Sequence, residues 1–194
     1  MEKESLWEEL RFEIASIESL KENREKILLG SGNREGSILF IGDDAELYIS
    51  DDLKVAAGSS GEFLIKLCDI VDIMPDSYYV TTLSKTHYKY RELGEREKKE
   101  LKEYLDMQIA LINPKVIVAL GQEVAELLLD REVKFLQERG EILNWRGNIE
   151  LLITYDANFA KKSRDDGGKK SKVAVEFWND LKTAKKALEE SEER

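Results

Sequence analysis

Ile38-Leu39-Phe40-Ile41-Gly42-Asp43-Asp44-Ala45-Glu46 is the stretch on which the fold turns. Four apolar residues without polar alternation are the mark of a strand covered on both faces. The run ends in Gly42, and two carboxylates follow at once. In open α/β sheets ligands bind outside the carboxyl ends of the strands, so Asp43 and Asp44 stand where chemistry is expected. Three more strands follow the same pattern: YYVTTLSK from Tyr78, VIVALG from Val116 and ELLITY from Glu150. Between and after them, apolar residues at three- and four-residue steps predict helices over 95–112, 122–129 and 173–188. Strands alternating with helices give an α/β fold, a three-layer α/β/α sandwich around a central four-stranded parallel sheet.

The flanks extend this frame. Leu6, Trp7, Leu10, Ile14, Ile17 and Leu20 lie on one helical stripe, so an amphipathic helix is predicted from Leu6 to Lys26. Gly30 to Asn33 reads as a loop, Ala45 to Ala57 as irregular, and Trp145 to Asn148 as a tight turn between short strands. Asn113-Pro114 stops the helix before the third strand. A length of 194 residues suits one domain, residues 1–30 forming its N-terminal helical part and 189–194 a frayed tail.

Charged residues make up 36% of the chain and the formal net charge is -10, which argues against generic attraction to phosphate backbones while leaving room for a local basic face. A single cysteine, Cys68, forms no internal disulfide and ligates no metal cluster alone. No apolar stretch is long enough to span a bilayer, and the start MEKESLWEEL carries no signal-peptide pattern. The cytoplasm is the expected location, with no membrane contact, no metal and no cofactor.

Two polar segments are candidate nucleic-acid contacts. After the second strand, Lys85, His87, Lys89 and Arg91 stand among Tyr88 and Tyr90, a mixture that suits phosphates and stacked bases as well as a solvated loop. After the fourth strand, Lys161, Lys162, Arg164, Lys169, Lys170 and Lys172 make a loop that Gly167-Gly168 renders flexible. On an acidic chain this is the expected phosphate-facing loop. Ser59 and Ser60 open the helix after Gly58, either as an anion site or as a plain capped turn. Asp156 caps the turn after its strand or takes a chemical role.

In the order of its elements and in these strings the chain resembles the uracil-DNA glycosylase superfamily, most closely the iron–sulfur family 4 enzymes. The resemblance runs from about Ile38 to Leu188, and its most specific piece is Gln108 to Leu129, QIALINPKVIVALGQEVAELLL. It implies a DNA-binding, base-excising fold. The family's Gly-Glu-x-Pro-Gly, whose acid activates water, is matched by Gly42, Asp43, Asp44, Ala45 and Glu46. Its base-stacking phenylalanine is matched by Ala56, which removes a contact of about 1–3 kcal/mol. Its uracil-reading Thr-Asn is matched by Thr81 and Thr82, and its Thr-Tyr-His-Pro by Thr154, Tyr155, Asp156 and Ala157, followed by Asn158. A carboxylate thus replaces the histidine that donates to the departing base, where one lost donor costs roughly 2.7–4 kcal/mol. Thr86 and Leu101 occupy the two internal cluster-cysteine positions, and no cysteine precedes Ile38.

The resemblance implies catalytic positions at Asp43, Asp44 and Asp156, a base site around Gly42, Ala56, Thr82 and Asn158, and single- or double-stranded DNA as partner. Three readings stand side by side. The chain is a diverged member that keeps a base- or nucleic-acid-binding cleft with weak or lost uracil excision; it is an active glycosylase of altered base specificity; or it is a non-catalytic interaction scaffold.

Overall fold

The computed structural model describes residues 2–18, 20 and 27–193. In chain order its elements are α1 (Glu2–Ala15), β1 (Ser31–Gly32), β2 (Ile38–Gly42), α2 (Ser60–Ile70), β3 (Tyr78–Thr82), α3 (Glu95–Ile112), β4 (Val116–Leu120), α4 (Gln122–Leu129), α5 (Phe135–Glu138), β5 (Ile142–Arg146), β6 (Ile149–Thr154), α6 (Ala157–Gly167) and α7 (Lys172–Glu192). The described strands form one sheet in the order β1-β3-β2-β4-β6-β5. Its middle four, β3, β2, β4 and β6, are parallel, and β1 and β5 join antiparallel at the two edges. The expected parallel core is therefore present, widened by two edge strands: β5 is one of the short strands expected beside the Trp145 to Asn148 turn, and β1 lies where a loop was expected. β1 has only two residues and no apolar pattern, and β5 is half exposed, so neither carries a buried-strand signature.

Alternate residues of the parallel strands feed two cores. Leu39, Ile41, Ile117, Ala119, Leu151 and Ile153 pack with α1, α3 and α4. Ile38, Phe40, Val116, Val118 and Leu152 pack on the other face with α2 and α7, against Leu64, Cys68, Phe177 and Leu181. This is the α/β/α sandwich, its strands buried on both faces as parallel strands are. Among the described residues no helix is long and apolar enough to cross a membrane.

Three expectations change. α1 ends at Ala15 rather than Lys26: the Ser16 hydroxyl bonds the Glu13 carbonyl and Ile17 N–H bonds the Ile14 carbonyl, tightening and closing the helix. Positions 21–26 lie outside the described residues; of the expected stripe, Leu6 is exposed and the other members are buried. At the far end, α7 continues to Glu192, past the expected start of a frayed tail.

The third change concerns the basic segment, which is helical. Asp156 caps the start of α6, Ala157 and Ala160 are its buried residues, and Lys161 pairs with Asp165 one turn on at 2.8 Å. Gly168 closes α6 at φ +58°, its N–H bonding the Arg164 carbonyl, so the glycine pair terminates a helix instead of loosening a loop. With only two small buried residues, α6 has too narrow an apolar stripe to be read as a helix.

α2 shows how local sequence positions the sheet edge. Ser59 Oγ accepts the Glu62 N–H at 3.1 Å and the Glu62 carboxylate accepts the Gly58 N–H at 2.9 Å, a reciprocal cap. Ser59→Ala is expected to cost about 1 kcal/mol, read as a lower urea midpoint with an unchanged slope; an unchanged midpoint would show that the cap contributes nothing. A Cβ on Gly61 would lie 2.2 Å from the Leu47 carbonyl oxygen. Only glycine lets the 45–57 segment fold back this closely onto α2.

Candidate active site

The strand register gathers the site. Gly42 pairs with Thr82 and Leu120 with Thr154, so the carboxyl ends of all four parallel strands stand in one row. The chain leaves β2 for β3 on one side and returns to β4 on the other, which makes the crevice between β2 and β4 the topological switch point. A cleft of about 540 Å³ opens there, lined by Asp43 beyond β2, Gly121 and Glu123 beyond β4, Asp156 beyond β6, and Lys89 and Arg91 from the loop after β3.

Asp43 is 8% exposed. Its Oδ2 accepts the Tyr90 N–H at 2.9 Å, and its own carbonyl accepts Lys89 Nζ. The second carboxylate oxygen, Oδ1, is buried without a partner among the described residues. Burial lifts the Asp43 carboxyl above the usual carboxylate range; the Tyr90 N–H and Lys89 oppose the rise, and Glu123 and Asp156 add to it. Asp44 is tied into the scaffold instead: Oδ1 accepts the Glu46 N–H at 2.9 Å and Oδ2 the Ser60 hydroxyl. Of the two carboxylates after β2, Asp43 lines the cleft and Asp44 shapes the turn.

Asp156 caps its helix and also borders the cleft. Its Oδ1 accepts the Phe159 N–H at 2.9 Å as the cap of α6, and the residue lines the cleft. Burial raises its carboxyl, the Phe159 N–H pulls it back, and the nearby charge of Asp44 raises it further. Gly121, at φ +106°, takes a backbone conformation that L side chains rarely adopt as the chain passes beside Asp156.

The remaining expected site residues are spread unevenly around this edge. Gly42 ends β2 with Leu47 packed where its Cβ would be. Thr82 is buried, its hydroxyl 3.2 Å from that of Tyr48, and burial pushes the Tyr48 phenol up to about 12. Ala56 lies exposed in a turn and Asn158 half-buried in the first turn of α6. Ser59 and Ser60 are committed to the cap and to Asp44, which satisfies the plain-turn reading and leaves neither hydroxyl waiting for a phosphate.

Lys85 departs from its expected role as a nucleic-acid contact. Its ammonium folds back to donate to Thr81 Oγ1 and the Thr82 carbonyl, and burial brings it down to about 7. The basic cluster is spread along a helix. Lys162, Lys169 and Lys170 are exposed, but Lys169 and Lys170 follow the distal end of α6, roughly 16 Å of helix rise from Asp156. The cations at the cleft are Lys89 and Arg91, held by the ordered turn in which Glu92 accepts the Lys89 N–H and Arg91 pairs with Glu123 at 2.9 Å. In the sequence they stood in the first of the two candidate nucleic-acid segments. The contribution of α4, Glu123 above all, carried no signal except its place directly after a strand.

The iron–sulfur cluster of the family that the sequence resembles does not fit this chain. Its one cysteine is buried on α2, where burial pushes the thiol up, and Leu101 is a core residue. Among the described residues no group of three or more histidine, cysteine, aspartate or glutamate side chains is disposed to hold a metal.

The family model of the Uracil DNA glycosylase superfamily matches residues 29–182. The Type-4 uracil-DNA glycosylase of Thermotoga maritima is 25% identical over 146 residues, 74% of this chain and 76% of that protein.

Proposed function

The chain belongs to the uracil-DNA glycosylase superfamily, and from that membership we infer that it is a single-domain, cytoplasmic DNA-repair protein with a base-binding cleft and little or no uracil excision. The observation that carries this reading is Asp156, a carboxylate lining the cleft at the position where family members place a donor. Uracil leaves as an anion, and negative charge facing it raises the barrier. Loss of the stacking aromatic at Ala56 and of the reading amide at Thr82 acts in the same direction.

Incubation of the purified protein with uracil-containing single- and double-stranded oligonucleotides tests the reading, with a family 4 enzyme as reference. Strands left intact are expected; turnover at the reference rate would overturn it. Binding is expected to weaken as salt rises, and Lys89→Ala and Arg91→Ala should each reduce the salt slope by about one. A slope unmoved by either change would remove the cleft cations from the DNA contact, and undetectable binding would favour the scaffold.

A second reading, an active glycosylase of altered specificity, is favoured by one observation. Asp43 Oδ1 is buried and unpartnered beside the cleft, where it suits the acceptor for a water that attacks the sugar carbon.

A further inference from the structure

We propose that the cleft takes a nucleobase that already carries a positive charge, an N-alkylated purine in DNA, in place of a neutral pyrimidine. The inference rests on the base-binding reading above and names its substrate class. When an N-glycosidic bond breaks, the bonding pair goes to the base. A neutral base departs as an anion and needs donors to receive it, whereas a purine alkylated at N7 or N3 departs neutral and needs none.

The cleft is built for the second case. Asp43, Glu123, Glu126 and Asp156 line it against Lys89 and Arg91. Both cations are met by acceptors of the chain: Lys89 Nζ by the Asp43 carbonyl and Arg91 by Glu123. On the acceptor side the account is open, because Asp43, nine-tenths buried, keeps Oδ1 without a partner. The single histidine, His87, is exposed and packs against Tyr88 with ring centroids 4.1 Å apart, and it does not line the cleft. Burial lifts the carboxyls of both Asp43 and Asp156, and a cation seated between them relieves that penalty.

The chemistry closes without a general acid. Water attacks C1′ as its proton passes to the Asp43 carboxylate. The C1′–N9 bond breaks with its electron pair going to N9, which quenches the charge on the alkylated ring. The base leaves neutral and the sugar keeps the hydroxyl. Asp156 faces a positive base in the ground state and a positive sugar ring as the bond breaks, so its carboxylate is favourable throughout.

The test uses oligonucleotides of one sequence carrying 7-methylguanine as its hydrolysis-resistant 2′-fluoroarabino nucleoside, guanine or uracil at one position. The methylated strand is expected to bind at least tenfold more tightly than the guanine strand, at equal salt. Asp156→Asn, whose amide oxygen still accepts the Phe159 N–H and keeps the cap, is expected to bring that ratio below about threefold. With ordinary 2′-deoxy DNA, release of 7-methylguanine or 3-methyladenine above the spontaneous rate is expected where uracil stays in place. Equal affinity for the methylated and guanine strands would overturn the inference and leave the base-binding reading standing. Absence of binding to all three strands would overturn both, and uracil released faster than the methylated bases would overturn the charge argument itself.

Discussion

Asp43→Asn is expected to move activity and stability in opposite directions. If Asp43 accepts the proton of the attacking water, base release should fall by about 10²–10⁴-fold, measured as free base formed under single-turnover conditions. The same change should raise the thermal midpoint at pH 7. The native carboxyl is held above its ordinary value by burial, so the folded state loses stability as pH climbs past the unfolded value near 4. Asparagine does not ionise and escapes that loss. Its advantage should therefore be present at pH 7 and vanish below about pH 4, where the aspartate is protonated whether folded or unfolded. A variant that melts below the parent at pH 7 would show that the carboxylate is well satisfied in the fold, and would remove the reason to regard it as poised for a ligand.

Asp180→Ala is expected to cost about 2–3 kcal/mol, the upper range for leaving hydrogen-bonding groups in the fold without their charged partner. Asp180 is 2% exposed on α7 and accepts from Arg139 Nε at 3.1 Å, from Arg139 Nη2, and from Thr154 Oγ1 at 2.6 Å. Without it the half-buried guanidinium keeps only Glu176 and the buried threonine hydroxyl loses its acceptor. The loss reaches the cleft through Thr154, the last residue of β6, two positions before Asp156. Urea unfolding measures it, and a loss under 1 kcal/mol would show that water or a neighbour replaces the carboxylate. Glu176 is the nearest substitute, 3.6 Å from Arg139 Nη1 and already accepting the Tyr155 hydroxyl. Asp180 was hidden in plain view: it falls three residues after Phe177 on the inward stripe of α7, but its charge reads as a surface residue until Arg139 is brought opposite.

The same distinction runs through the site. Asp43, Asp44 and Asp156 were legible as residues that directly follow strands, because a strand of four consecutive apolar residues announces its own end. Which of the two carboxylates after β2 reaches the cleft was not legible. It is decided by Ser60 and the Glu46 N–H, which claim Asp44, and by Tyr90, which engages one oxygen of Asp43. The basic residues show the same dependence on tertiary placement. Of the two basic segments, Lys161 to Lys172 drew the greater expectation, yet α6 and its glycine stop place Lys169 and Lys170 a helix length from Asp156, while Lys89 and Arg91 of the other segment line the cleft.

The sequence by itself determined the α/β class, the parallel core, the two-faced burial of its strands and the family resemblance, since each depends on local periodicity or on residues contiguous in the chain. The tertiary structure alone decided the edge strand β1, the retreat of Lys85 into the fold, the pairing of Arg139 with Asp180 and the meeting of Asp43, Glu123 and Asp156 around one cleft. The physical reason is the range of the forces involved. Helix and strand periods are written within a few residues, whereas burial of a charge and the partner it finds depend on groups brought together from distant parts of the chain.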